Sequence, residues 1–294
     1  MRSGFLISVA ILLDAALFLL NLDVALRDHS RAVLSQAVFN IADLVGSAML
    51  AWGLVASQRP PDVNHPFGYG KERFFWAFAA SLVTFSLAGV GVLFTGIEQA
   101  VVPEAIASVE DGLIVVGVTL LTSVAGLLIV LRELRLARGT VGSFLASSHQ
   151  GMKTIFYQDV VSTVGSATAL VGLGVVYATH DPAIDGLTAS AVGVLLLLTG
   201  FVLAAESREL LVGKALSLHD ASRLIALIER NPRVRRVRSF QSMMLGPDDA
   251  LLALRLNFQD GLTTDEIEST IDEIGASLRN EMPALKHLVI EPES

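Results

Sequence analysis

The chain has 294 residues, of which 52% are hydrophobic and 17% charged, with a formal net charge of −8. A soluble domain of that size carries roughly 25% charge; with a mean hydropathy of +0.60, a wholly water-exposed fold is excluded and much of the chain must face lipid. The acidic balance argues against nucleic acid as a partner, and the absence of cysteine excludes disulfides and thiolate metal sites.

Taken in chain order, six apolar stretches stand out: about Phe5–Ala25, Leu34–Val55, Phe74–Glu98, Leu113–Leu131, Thr154–Val176 and Gly186–Ala205. Each is close to the ~20 residues that cross ~30 Å of hydrocarbon. Lipid offers no partner to backbone polar groups, so each is predicted to be a helix. The first stretch follows Arg2 but is interrupted by Asp14 and lacks an Ala-x-Ala site, so it is read as a span rather than a cleaved signal.

Basic residues set the expected orientation. Arg59, Lys71 and Arg73 follow the second stretch, and Arg132, Arg135, Arg138 and Lys153 follow the fourth, whereas Ala100–Asp111 and Ala178–Asp185 have no Lys or Arg. The excess of basic residues marks the cytoplasmic side. Both termini are therefore expected in the cytoplasm, in a multi-pass protein of the cell inner or plasma membrane, although Arg27 and Arg31 after the first stretch run against this.

Beyond Leu211 the composition becomes that of a soluble domain. His219–Arg230 is predicted as an amphipathic helix, and Val234–Leu245 and Ala250–Phe258 as strands around a Gly246-Pro247-Asp248-Asp249 turn. Leu252, Leu254, Leu256 and Phe258 alternate with strand period. Thr264–Asn280 reads as a second helix, capped by Thr263 or Thr264 with Glu266 early in it, and His287–Glu291 as a last strand. The expected architecture is a six-helix, all-α transmembrane domain over 1–208, followed by a small α+β ferredoxin-like (αββαβ) cytoplasmic domain over 209–294 that dimerises or regulates.

Polar residues inside the apolar stretches carry the functional reading. An acid in the bilayer costs at least ~2.5 to 3.5 kcal/mol, so Asp43 and Asp159 mark a functional site by default. Gln36, Asn40 and Asp43 share one face of the second stretch, and Gln158, Asp159, Ser162 and Thr163 cluster on the fifth. Packed together, they offer oxygen donors suited to a cation. Close carboxylates repel, and burial raises their pKa values, so metal and protons would compete for one site. The bland alternative is that each aspartate only bonds one helix to another. Asp14 and Asn21 add polar groups to the first stretch, and Asp14 is a candidate for the site or for a proton relay. In the loop after the second stretch, Asp62 and His65 are candidate cation ligands, although a rigid turn beside an aromatic belt explains the same residues. His287 with Glu291 is a weaker candidate in the soluble part. No nucleophile–base pair lies within the spans, so an enzyme is not expected.

The segment from His65 through Pro-Phe-Gly-Tyr-Gly-Lys-Glu-Arg-Phe-Phe-Trp-Ala to Phe78, the Ala42-Asp43 pair, the Gln158-Asp159 pair, and Glu206 through Ser-Arg-Glu-Leu-Leu-Val to Gly213 resemble the cation diffusion facilitator (cation efflux) family. They are most similar to its zinc transporter 9-like bacterial branch, over nearly the whole chain. The resemblance implies a homodimer that exports divalent metal in exchange for protons, with Asp43 and Asp159 at two of the transport ligands and Asp62 and His65 at two ligands of a cytoplasmic-loop site; Asn40 and Gln158 are expected beside the aspartates as further oxygen donors to the metal. It implies no resident cofactor; the partners are the transported metal, protons and membrane lipid. Where the family has acid or His ligands upstream of the two aspartates, this chain has Phe39 and Ile155, and Gln158 stands where the branch tends to have Glu. Tyr69 stands where a third ligand of the loop site would be. Zinc is the cargo by family, while an oxygen-only donor set suits manganese, iron or another harder cation. The alternative is a family-derived protein that has lost transport and binds metal or regulates.

Overall fold

The computed structural model describes residues 2–83, 88–136 and 150–293, and side-chain surroundings within them except at 2–14, 130, 133–136 and 150–158. The apolar part forms helices α1 (Arg2–Asp28), α2 (Arg31–Ser57), α3 (Glu72–Val83), α4 (Gly91–Val101), α5 (Val109–Leu136), α6 (Gln150–Thr179) and α7 (Ala183–Val212). Five candidate spans are long and apolar enough to cross a membrane, and α3 and α4 both fall within the one given by Glu72–Val101. The first expected span is α1. The helices follow the expected spans because each is a continuous apolar run; α5, α6 and α7 extend beyond them to 28 and 30 residues.

The described residues divide into two compact units: those within Met1–Gly53, Trp76–Leu145 and Gln150–Glu206 in one, and those within Leu54–Phe75 and Ser207–Ser294 in the other. In the first, Ala25 of α1, Ala32 and Val33 of α2, Val116 of α5, and Ala169 and Leu173 of α6 form one buried cluster. Ala42 of α2, Ala88, Val92 of α4, and Val192 and Leu196 of α7 form a second. α4 and α7 run antiparallel and approach through glycines. A Cβ on Gly96 would strike Ser190, one on Gly193 would strike Leu93, and one on Gly89 would strike Leu197. Small residues let membrane helices pack at backbone distance, where dispersion does most of the holding.

The N-terminus of α2 is capped from another helix. Buried Asp185 of α7 accepts the hydroxyl of Ser30 at 2.7 Å, the backbone N–H of Arg31, and the backbone N–H of Ala32 at 3.2 Å. Ser30 in turn accepts the N–H of Val33 at 3.3 Å. First-turn N–H groups have no intrahelical acceptor, so a side chain must supply one. The turn itself is tight, with His29 at φ 57°.

The second unit carries α8 (Leu218–Glu229), β1 (Val234–Gly246), β2 (Asp249–Phe258), α9 (Thr264–Glu281) and β3 (Leu285–Glu293). β1 pairs antiparallel with β2, and β2 parallel with β3, giving the sheet order β1-β2-β3. The parallel pair requires the crossover that α9 provides. Thr263 and Glu266 form the capping box that starts α9, and Ser217 caps α8. Ala250, Leu252, Leu254 and Leu256 are all buried, with Leu224, Ile228, Ile274 and Leu278 packed over them from the two helices. The alternating strand and the two amphipathic helices thus meet on one sheet face.

Replacing Asp185 by Ala leaves two buried N–H groups without an acceptor, at roughly 1–3 kcal/mol each. Thermal unfolding in detergent should show Asp185→Ala destabilised by about 2–4 kcal/mol, and Asp185→Asn, which keeps one acceptor oxygen, by clearly less.

Candidate metal site

α5 and α6 form the most extensive helix pair among the described residues, and their contacts fix one antiparallel register. A Cβ on Gly112 would lie 3.4 Å from Leu173, Ser123 and Ser162 share a hydrogen bond of 2.6 Å, and a Cβ on Gly126 would lie 3.2 Å from Asp159 Oδ1. Along the pair the levels are therefore 112/173, 119/166, 123/162 and 126/159, the first two separated by two turns and the rest by one. Asp159 rests against α5 where Gly126 has no side chain. Its backbone carbonyl also accepts the hydroxyl of Thr163 at 2.8 Å, a bond that stays within the helix.

α2 supplies the facing wall. Gln36 and Asn40 are buried and Asp43 is half-buried. The hydroxyl of Ser166 donates to Gln36 Oε1 at 3.0 Å, while Val33 near the start of α2 shares a cluster with Leu173 near the end of α6. The two helices are thus antiparallel as well. Asp43 lies seven residues beyond Gln36 and Asp159 seven before Ser166. Both aspartates therefore sit at one level, two turns or about 10 Å from the Gln36–Ser166 bond.

α1 joins the same wall. Asn21 donates to Thr119 Oγ1 at 3.0 Å and to the carbonyl of Leu17 at 2.8 Å. The hydroxyl of Ser123 donates to the carbonyl of Thr119 at 2.9 Å. Three buried atoms of this wall have no hydrogen-bond partner: Asn21 Oδ1, Gln36 Nε2 and Asn40 Nδ2. Phe39 packs with Val38 against the cluster of Ala42, Ala88, Val92, Val192 and Leu196. The position that the resemblance assigns to an upstream ligand therefore serves apolar packing. Gln158 lies in α6, Ile155 beside it, and Asp14 in α1, and the side chains of all three fall outside the described residues.

In the second unit, Asp62 is the acceptor of a tight turn. Its Oδ1 takes the N–H groups of Asn64 at 2.9 Å and His65 at 2.7 Å, and its Oδ2 takes the hydroxyl of Tyr69 at 2.7 Å. His65 Nδ1 is 3.4 Å from Asp62 Oδ1, and its ring lies 4.2 Å from that of Tyr69. The Tyr69 hydroxyl, then the His65 N–H, hold the Asp62 carboxyl below the usual carboxylate range, and Tyr69 is raised in return. Asp62, His65 and Tyr69 thus bind one another as a turn. The loop packs on the β1–β2 turn, where a Cβ on Gly70 would collide with Leu245 O, and Phe67 lies edge-on to His287 at 5.1 Å. His287 faces Asp249 at 3.6 Å, while Glu291 pairs with Arg255 at 3.0 Å. His287 and Glu291 therefore have separate partners. Among the described residues no three His, Asp or Glu side chains are grouped to hold a metal.

Thr119, Ser123 and Gly126 are the residues that sequence reasoning missed. Their spacings of four and three place them on one face of α5, which is the signal that would have found them.

The Tyr69 hydroxyl stabilises charged Asp62, so Tyr69→Phe should move the Asp62 carboxyl upward, toward its ordinary value. The stabilisation that Asp62 gives the turn is present above the ordinary carboxylate pKa and is lost as pH falls through the lowered one. In Tyr69→Phe that loss should begin at higher pH, and a carboxyl NMR titration with labelled aspartate reads it directly.

The cation efflux transmembrane domain model matches residues 7–212. Metal tolerance protein C4 of Arabidopsis thaliana is 24% identical over 257 residues, covering 86% of this chain and 56% of that protein. The mitochondrial proton-coupled zinc antiporter SLC30A9 of Homo sapiens is 24% identical over 272 residues, covering 88% of this chain and 48% of that one. The cation-efflux pump FieF of Klebsiella pneumoniae is 23% identical over 269 residues, covering 92% and 85%. The chain thus spans about half the length of the plant and animal relatives. A cadmium form of the MamM C-terminal domain matches 26% of this chain and 95% of its own at 17% identity, with a TM-score of 0.25. With the family model matched from residue 7 to residue 212, the chain belongs to the cation efflux family.

Proposed function

We propose that this protein moves a divalent metal cation out of the cytoplasm in exchange for protons, holding the metal between Asp43 and Asp159. The observation that carries this reading is the shared level of the two aspartates on antiparallel α2 and α6, given by the Ser166–Gln36 bond. Two carboxylates at one level of an apolar bundle repel when both are charged. A divalent cation relieves the repulsion, and so do protons, which makes the two ions competitors. Asn40 and Gln158 complete a set of oxygen donors with neither His nor Cys, which favours manganese, iron or another hard cation over the tetrahedral nitrogen and sulfur sets of zinc.

Both termini lie in the cytoplasm in this reading, and the protein works as a homodimer in the inner or plasma membrane. The cluster of Val33, Val116, Ala169 and Leu173 lies toward the α1–α2 turn from the aspartates. With that orientation it closes the site to the outside. One observation favours a second reading, loss of transport with retention of a binding or regulatory role: Phe39 gives packing where a ligand is expected.

Purified protein in proteoliposomes under a pH gradient separates these readings, with zinc, manganese, iron, cobalt, cadmium and magnesium tested in turn. Flux of at least one metal is expected, with Asp43→Asn and Asp159→Asn each reducing it at least tenfold, a loss of about 1.4 kcal/mol or more in the transport barrier. Gly126→Ala places a methyl group 3.2 Å from Asp159 Oδ1 and should weaken metal binding several-fold. Absence of flux for every metal in folded wild-type protein would reject the transport reading in favour of the second.

A further inference from the structure

Two turns from the aspartates lies a layer of neutral polar groups that metal binding does not use. Asn21 is bonded to Thr119 and Gln36 to Ser166, and the α5–α6 register sets Thr119 and Ser166 at one level. Four helices thus each bring one polar side chain to this layer, between the apolar cluster at the α1–α2 end and the level of Asp159. Midway to Asp159 is the Ser123–Ser162 hydroxyl pair.

We propose that this layer is a water-binding station and that counter-transported protons pass through it to Asp159. The water site stands on geometry alone, while its role in proton transfer rests on the exchange reading above. Asn21 and Gln36 are at least nine-tenths buried, yet each has an atom with no partner: one carbonyl oxygen and one amide nitrogen. Leaving such atoms bare costs roughly 1–3 kcal/mol each. A buried water makes about three hydrogen bonds and both donates and accepts, so it satisfies both kinds of atom. A metal ion does not, because the unpartnered Gln36 nitrogen carries N–H groups that repel a cation.

The spacing fits the same role. The step from the 119/166 level to the 126/159 level is about 10 Å, beyond direct transfer, and the hydroxyl pair divides it. Each hydroxyl takes a proton on a lone pair and releases its own to the next acceptor, so no covalent bond to carbon changes. The last transfer converts the Asp159 carboxylate to the neutral acid. One proton is consumed, and one of the charges that held the metal is removed.

The double variant Asn21→Leu with Thr119→Val removes both members of a bonded pair, which avoids leaving half of it buried. Metal titration in detergent should stay within about twofold of wild type. Metal and proton fluxes in proteoliposomes should both fall at least tenfold, and Ser123→Ala should slow them in the same way. Unchanged flux overturns the relay. Loss of metal affinity in parallel with flux overturns it too, because the layer would then belong to the metal site.

Hydration has its own test, since the chain has no cysteine. Ser166→Cys, fully buried, should react with a small water-soluble thiol reagent at least tenfold faster than Val171→Cys on the exposed, lipid-facing side of α6. Equal rates mean a dry layer and overturn the water site. Fast reaction at position 166 in a wild-type background without metal flux upholds the water site and rejects the exchange reading.

Discussion

Inside an apolar bundle, a polar group must find its partner within the protein, and much of this structure follows from that. The first-turn N–H groups of α2 are satisfied by a carboxylate more than 150 residues away in sequence, on α7. Thr119, Thr122, Thr163 and Thr168 turn their hydroxyls back onto carbonyls of their own helices. Such bonds allow a hydroxyl in a lipid-exposed helix at little cost, but they say nothing about partners. The bonds between helices are fewer and carry more information. Asn21–Thr119, Gln36–Ser166 and Ser123–Ser162 lie on the inner faces of α1, α2, α5 and α6 and fix how those helices stand against one another.

Two kinds of helix contact divide the bundle. Between α4 and α7, glycines at 89, 96, 186 and 193 bring backbones together at spacings where no side chain fits. Sliding such a pair by one turn would set side chains against backbone, so it behaves as a rigid unit. Between α5 and α6 the register is held by hydroxyls and by a single carboxylate seated on Gly126. Those contacts are polar and exchangeable with water. The apolar pair is held by backbone-distance packing, and the polar pair by hydroxyl and carboxylate contacts. Phe39 of α2 packs against the apolar cluster of Ala88, Val92, Val192 and Leu196, which ties α2 to that pair.

Much of this was legible in the sequence. Apolar runs of membrane length gave the helices, and strict alternation from Leu252 to Phe258 gave a strand whose inward residues are buried. Thr263 and Glu266, three apart, marked the start of α9. The register between helices was not legible, because it depends on which faces meet. Gly126 illustrates this: a lone glycine in a span carries no signal until a carboxylate is found lying over it. Asp185 was read only as part of a loop without basic residues, since nothing local indicates that it caps a distant helix. The loop at Asp62 was ambiguous for a different reason. An acid, a histidine and a tyrosine at that spacing serve a metal or a turn equally well, and the geometry shows the turn bonds in place.

The departures of this chain from its family bear on charge. In the exchange proposed for it, Asp43 and Asp159 are the carboxylates that hold the metal. The pair is neutral with one divalent cation bound, or with two protons bound. States between these leave net charge in a low-dielectric interior, where even partly compensated charge is costly. Further acid or imidazole ligands would blur that balance by adding a charge or a titrating nitrogen. Replacing one by Phe39 and leaving amides and hydroxyls elsewhere sharpens it, because neutral groups can ligate or hydrate but cannot change the count. In the proposed exchange, a donor set poorer in ligands therefore binds more weakly and couples more tightly: each divalent ion released is balanced by neutralisation of both carboxylates.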